Sequence, residues 1–213
     1  MNNVQVHLVH PDTYFIEGDG YIIGEPTKPE EKERNRKIGT FLRRALDSGV
    51  DVIKYRFPKF NPIEILTIDL PFDMSKDMKV VLDERVKSIM TTQWGVPLPD
   101  EKQKNMPEEV WEELRRLVVT GEGMRKVVDP NSIPIFLGGF YEFCLTNAIG
   151  YYARVLRTEG KPIYCLKDLS VVRGDEKVLK LAEGVLSGIS GLEFICFEDA
   201  MELVTSSTSL PTL

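Results

Sequence analysis

The sequence predicts an α/β protein, a three-layer doubly wound and mostly parallel sheet with helices on both faces. Short apolar runs of strand length recur along the chain and alternate with stretches whose apolar residues repeat every three or four positions, the mark of strands followed by amphipathic helices. The strand runs are apolar almost throughout, as expected of strands covered on both faces. With 213 residues, 42% of them hydrophobic, the chain is long enough for one full core. The expected organisation is one domain over residues 1–204, with an irregular insertion or lid at about 56–106 and a flexible tail at 205–213.

The first strand is Val4 to Val9, closed by His10-Pro11-Asp12, because Pro11 lacks an N–H to donate. Phe15 to Pro29 holds three glycines and two prolines and reads as a surface loop. From Glu30 to Asp47, Ile38, Phe41, Leu42, Ala45 and Leu46 give one apolar helix face, and Ser48-Gly49 ends it. Val50 to Tyr55 is the next strand, and strand, helix and strand of these lengths make a right-handed parallel unit. Between Arg56 and Pro107 repeated prolines obscure the pattern; a strand over Glu64 to Ile68 and a helix near Asp77 to Met90 are expected. Pro107 opens a helix with Val110, Trp111, Leu114, Leu117 and Val118 on its apolar face, broken by Gly121 and Gly123.

The clearest signal is Ile133-Pro134-Ile135-Phe136-Leu137 running into Gly138-Gly139 and then, at Cys144, into a helical pattern reaching Gly160. This is strand, tight loop and helix. In an open parallel sheet such a loop lies at the carboxyl end of a strand, where ligands bind. A thiol there, near a helix N-terminus, is expected to have a depressed pKa and to react as thiolate. The chain then continues with a strand at Pro162 to Leu166, a helix at Asp175 to Ser187, a strand at Leu192 to Phe197 and a helix at Glu198 to Val204. Cys165 and Cys196 fall inside strand runs and are expected to be buried and unreactive.

Net charge is −6, and no basic block stands apart from acidic residues, so neither nucleic acid nor a membrane surface is the expected partner. The start of the chain lacks the pattern of a signal peptide, no apolar run reaches the length of a membrane span, and three cysteines make no even disulfide set. A soluble cytoplasmic protein without cofactor or metal is expected. His7 and His10 are the only histidines, and one strand would send them to different faces or neighbours.

The stretch from Gly138 to Ala148, with its Cys144-Leu145 pair, resembles the nucleophile segment of the isochorismatase-like cysteine hydrolases. Leu192 to Leu203 resembles that family's last strand and helix. The resemblance covers residues 133–204 and implies a cysteine nucleophile, an aspartate base after the first strand, a lysine on a middle strand, a small-molecule substrate with an amide or related bond, and a homo-oligomer. Setting Phe15 on the phenylalanine of the family's first-strand motif puts His10 in the aspartate's place and Asp12 in that of a glutamine. Lys104 lies at about the lysine's distance before the cysteine, but in a polar segment beside Pro107.

Cys144, His10, Asp12 and Lys104 are thus the candidate catalytic residues, and Gly138 and Gly139 the candidate substrate-binding loop. Each also has a structural reading: Cys144 as a partly buried thiol, His10 as a hydrogen-bonded strand end, Asp12 as a turn residue, and the two glycines as what any tight loop requires. Three functions remain open. They are the hydrolase, a catalytically silent member of the fold that binds a metabolite or a protein partner, and an unrelated doubly wound protein that binds a nucleotide at the glycine loop.

Overall fold

The computed structural model describes residues 3–10, 28–56, 80–81, 83–90, 122–125, 127–158, 160–172 and 174–206. Its strands are β1 (Val4–Val9), β2 (Asp51–Arg56), β3 (Lys87–Met90), β4 (Ile133–Gly138), β5 (Ile163–Cys165) and β6 (Leu192–Phe194). Its helices are α1 (Pro29–Asp47), the single turn α2 (Glu122–Arg125), α3 (Thr146–Val155), α4 (Glu176–Ser187) and α5 (Phe197–Ser206). The strands form one sheet in the order β3-β2-β1-β4-β5-β6, and every pairing is parallel. The five strands read from the sequence are therefore neighbours in one parallel sheet, with β1 inside it.

Every residue of β1 and β4 is buried, which matches their largely apolar character and includes two polar side chains of β1, Gln5 and His7. Alternation along β1 divides the core into two layers. Val4, Val6 and Leu8 face α1 and α5 through Ile38, Phe41, Leu42, Ala200 and Val204. Val9 faces the other layer, where Met124, Cys144, Ala148, Ile149, Tyr152 and Leu186 come from α2, α3, α4 and the turn before α3. His7 joins this second layer, stacked on Phe136 with ring centroids 4.6 Å apart.

The segment Val80 to Met90 departs from its expected helix. Residues 87–90 are the edge strand β3, paired with β2 from Ile53↔Lys87 to Arg56↔Met90. Val81, Val86 and Ile89 are buried while Lys87 and Ser88 are exposed; the apolar spacing that imitates a helix comes from a short helical turn followed by a strand. Gly123, read as a break, lies inside α2. The helix after Cys144 stops at Val155 rather than Gly160, because the N–H groups of Leu156 and Arg157 both turn back to the Tyr152 carbonyl at 3.0 Å. The expected strand at 64–68, the helix from Pro107 and the tail from 207 onward lie outside the described residues.

Candidate functional site

The connection order places the site. From β1 the chain runs to β2 on one side, and β4 adds to β1's other side, so the direction of winding reverses between β1 and β4. A doubly wound sheet opens a crevice at this point, at the carboxyl ends of the strands. His10 follows β1 there and Gly139 follows β4.

Gly138 and Gly139 have φ of +92° and +60°, conformations that side chains with a Cβ rarely adopt. A Cβ on Gly139 would also come within 2.7 Å of Cys144 Sγ and 3.3 Å of both the Val9 carbonyl oxygen and Val9 Cγ1. Cys144 Sγ therefore rests on the Gly139 backbone, beside the last residue of β1. The bare glycine is explained by the sulfur that occupies its space, without a phosphate.

The chain reaches Cys144 through a π-helical turn, Tyr141–Leu145, which precedes α3. Leu145 N–H donates to the Phe140 carbonyl at 3.1 Å, a five-residue spacing. The Thr146 hydroxyl donates to the Tyr141 carbonyl at 2.6 Å. Two further bonds tie this turn to the β5–α4 connection: Tyr141 N–H donates to the Val171 carbonyl at 2.8 Å, and the Glu142 carboxylate accepts from Gly174 N–H. Such π turns occur often at functional positions.

The Phe140 N–H donates to Cys144 Sγ at 3.0 Å. Cys144 is 2% exposed, and burial pushes its thiol up to about 11, against the pull of the Phe140, Cys144 and Leu145 N–H groups and with a further push from Glu142. The depressed pKa expected from the sequence is therefore corrected. Loss of water around the sulfur outweighs the few backbone dipoles at the start of the helix.

His10 is fully buried and takes the left-handed region with φ +40°. Its N–H donates to the Tyr55 carbonyl at 3.1 Å, extending β1's pairing with β2 one residue past Val9. A buried histidine held at positive φ is a candidate for function, since such a conformation persists only where its surroundings enforce it. Burial lowers its pKa to about 3, so His10 is neutral at physiological pH. A neutral His10 supplies no positive charge to help ionise the thiol.

Asp12 and Lys104 lie outside the described residues. A lysine that the structure does place at the carboxyl edge is Lys167, just after β5, ion-paired to Glu183 at 2.8 Å and 4.6 Å above the Tyr141 ring centroid. Among the described residues no group of three or more His, Cys, Asp and Glu side chains is placed to hold a metal ion. No described helix is long and apolar enough to cross a membrane. Cys165 is buried as expected, whereas Cys196 is exposed. The reason is that β6 ends at Phe194 on the sheet's edge, so Cys196 lies beyond it at the start of α5, where its sulfur accepts the Asp199 N–H at 3.4 Å.

Several residues of the site and core gave no sequence signal. Glu142 is one: its use as an acceptor for the distant Gly174 N–H follows only from the fold. Asn35 lies among the charged residues that open α1, yet it is fully buried, and among the described residues neither amide atom has a hydrogen-bond partner.

Neither a protein-family model nor a curated protein sequence matches the chain. Solved structures do resemble it. An isochorismatase from Pseudomonas putida KT2440 superposes with a TM-score of 0.56 at 10% identity, covering 92% of this chain and 89% of that one. A cysteine hydrolase from Pseudomonas syringae pv. phaseolicola gives 0.53 at 12% identity, over 96% and 93% of the two chains. N-carbamoylsarcosine amidase from Thermoplasma acidophilum gives 0.51 at 10% identity, over 92% and 97%. The fold is thus shared over nearly the whole length, and it is the isochorismatase-like α/β fold.

Proposed function

We propose that this isochorismatase-like fold houses a cysteine hydrolase acting on the amide or a related bond of a small molecule, with Cys144 as nucleophile and His10 as base. The observation that carries the reading is the position of Cys144 Sγ, against Gly139 and Val9 at the switch point between β1 and β4. A nucleophile needs a neighbouring proton acceptor, and His10, the residue after Val9, has a neutral imidazole; burial makes that ring a weak base, so the proton must move in concert with attack.

The pair works without a preformed thiolate. On attack the thiol proton passes to His10 while the sulfur bonds to the substrate's carbonyl carbon. The C–N bond then breaks as His10 returns the proton to the leaving amine, and a thioester remains. Water, giving a proton to His10, attacks the thioester carbonyl; the C–S bond breaks and the proton returns to sulfur. The N–H groups around the sulfur lower the energy of its anionic states. Asp12 and Lys104 stand as further candidates for the proton-transfer and charge-stabilising roles, and Gly138 and Gly139 for the floor of the substrate site.

Cys144's burial and raised pKa support a second reading, a silent member of the fold that binds a small molecule without cleaving it. Ammonia release from a panel of primary amides and N-carbamoyl compounds separates the two. The hydrolase reading expects release that is lost in Cys144→Ala and falls at least about a hundredfold in His10→Asn. No release from any compound, together with iodoacetamide labelling of Cys144 far slower than that of exposed Cys196 at every pH up to 9, establishes the silent reading instead.

A further inference from the structure

Three hydrogen bonds among the described residues join the segment from Gly139 to Glu142 to the β5–α4 connection. Two are backbone bonds through Val171: its N–H donates to the Gly139 carbonyl at 2.9 Å, and its carbonyl accepts from Tyr141 N–H at 2.8 Å. The third uses a side chain, the Glu142 carboxylate, which accepts from Gly174 N–H. Glu142 is 6% exposed, and burying a carboxylate is costly unless it is held. Gly174 is fitted to it, since a Cβ there would come within 3.1 Å of Glu142 Cγ, Glu142 Oε1 and Val178 Cβ. The carboxylate thus lies against the first turn of α4, whose N-cap Asp175 accepts from Val178 N–H at 3.0 Å. A helix favours negative charge at this end.

These bonds bear on the sulfur. Phe140 N–H donates to Cys144 Sγ at 3.0 Å, and the Phe140 carbonyl accepts from Phe143 N–H and Leu145 N–H at 3.1 Å each. Val171 holds the entry to this turn, and Glu142, two residues before Cys144, holds its middle. The charge of Glu142 pushes the Cys144 thiol up, so ionising the sulfur is not its contribution. What it contributes is the bond to Gly174.

We propose that Glu142 is a positioning residue for the Cys144 thiol, tying the middle of the π turn to the start of α4 so that Sγ stays against Gly139 and the Phe140 N–H. It acts through the backbone of the turn and not on the reacting atoms. The consequence for catalysis rests on the hydrolase reading, in which a reacting group displaced by about 1 Å loses about a hundredfold in rate. The tether itself is measured without turnover.

The test compares Glu142→Gln, which keeps an oxygen for Gly174 N–H, with Glu142→Met, which keeps the length but not the oxygen. Neither carries a charge, so the two differ in the tether. Both are made in the full chain in a Cys196→Ser background, with far-UV circular dichroism to check folding, and Glu142→Ala replaces Glu142→Met if the latter does not fold. Amide exchange at Gly174, followed by NMR, is expected to be at least about tenfold faster in Glu142→Met than in Glu142→Gln. Iodoacetamide, read by peptide mass spectrometry, should label Cys144 at least about tenfold faster in Glu142→Met, because a released turn opens a sulfur that is 2% exposed. On an amide that wild type hydrolyses, Glu142→Met is expected to lose at least about tenfold in kcat with KM within about twofold, and Glu142→Gln to restore most of the loss. Equal exchange and labelling in the two variants overturns the proposal whatever the activity, as does a wild-type Gly174 amide that exchanges like an exposed one. A Glu142→Gln variant as impaired in kcat as Glu142→Met also overturns it. A wild type that hydrolyses nothing, with exchange and labelling still separating the variants, sinks the hydrolase reading and upholds the tether.

Discussion

Acid should destabilise this protein steeply between pH 7.5 and 5, and its two histidines should account for most of the effect. Both are fully buried, and burial lowers each to about 3, against about 6.5 for a solvated histidine. The unfolded chain therefore binds two protons in this range that the folded chain refuses. Stability is full above pH 6.5 and is lost as pH falls toward the folded value. At pH 5 an unfolded histidine is almost fully protonated and at pH 7.5 almost fully neutral, so each contributes a loss of about 2 kcal/mol and the pair about 4 kcal/mol. That is a large part of the roughly 5–15 kcal/mol that holds a domain folded. Urea unfolding followed by circular dichroism at pH 7.5, 6, 5.5 and 5 measures the slope in wild type and in His7→Phe/His10→Asn, asparagine being tolerant of positive φ. The variant is expected to be less stable at pH 7.5, because Tyr55 Oη, 2.9 Å from His7 Nδ1, loses its partner. Its pH dependence over this range should nonetheless shrink by about 4 kcal/mol. Parallel slopes for the two proteins would refute the argument.

Two further perturbations test the local geometry. Gly139→Ala places a Cβ 2.7 Å from Cys144 Sγ at φ +60° and should cost about 2–3 kcal/mol from strain and overlap together; in a Cys144→Ala background the overlap disappears, and thermal melting of the four proteins in this cycle should recover part of the loss. Asn35→Leu removes a buried amide that has no partner on either atom among the described residues and should raise stability by about 1–2 kcal/mol in urea unfolding, whereas a lower midpoint would mean that the amide is satisfied in solution.

The central sheet was legible because β4 and β5 are apolar on both faces and β1 nearly so, interrupted at Gln5 and His7, a pattern expected of covered parallel strands. The switch-point loop was legible for a related reason, since Gly138-Gly139 followed by a helical period leaves few other conformations. The edges were not. Within β3, Ile89 is buried and Lys87 and Ser88 are exposed, and with Val80, Val81 and Val86 before it that spacing is also a helix's spacing. Cys196 was misread because an apolar run at the edge of a sheet need not be strand to its end. The ionisation of the site was misread for a different reason: a helix N-terminus is visible in sequence, but the depth at which Cys144 and His10 lie depends on β1, β4 and the turn before α3 meeting in space.

The π turn at Tyr141–Leu145 has a further meaning for how such a site is made or lost. A turn closed by bonds between residues five apart holds one residue more than the α-helical turn it replaces, so it behaves as a single-residue insertion carried without displacing the helix that follows. Deleting one residue between Tyr141 and Leu145 would let α3 continue in regular register while everything before the deletion rotates by about 100° around the helix axis. Ala148, Ile149 and Tyr152 would keep their places in the core, but the residue over Gly139 would no longer be Cys144. One codon thus separates a fold that presents its thiol at the switch point from the same fold with the thiol turned away.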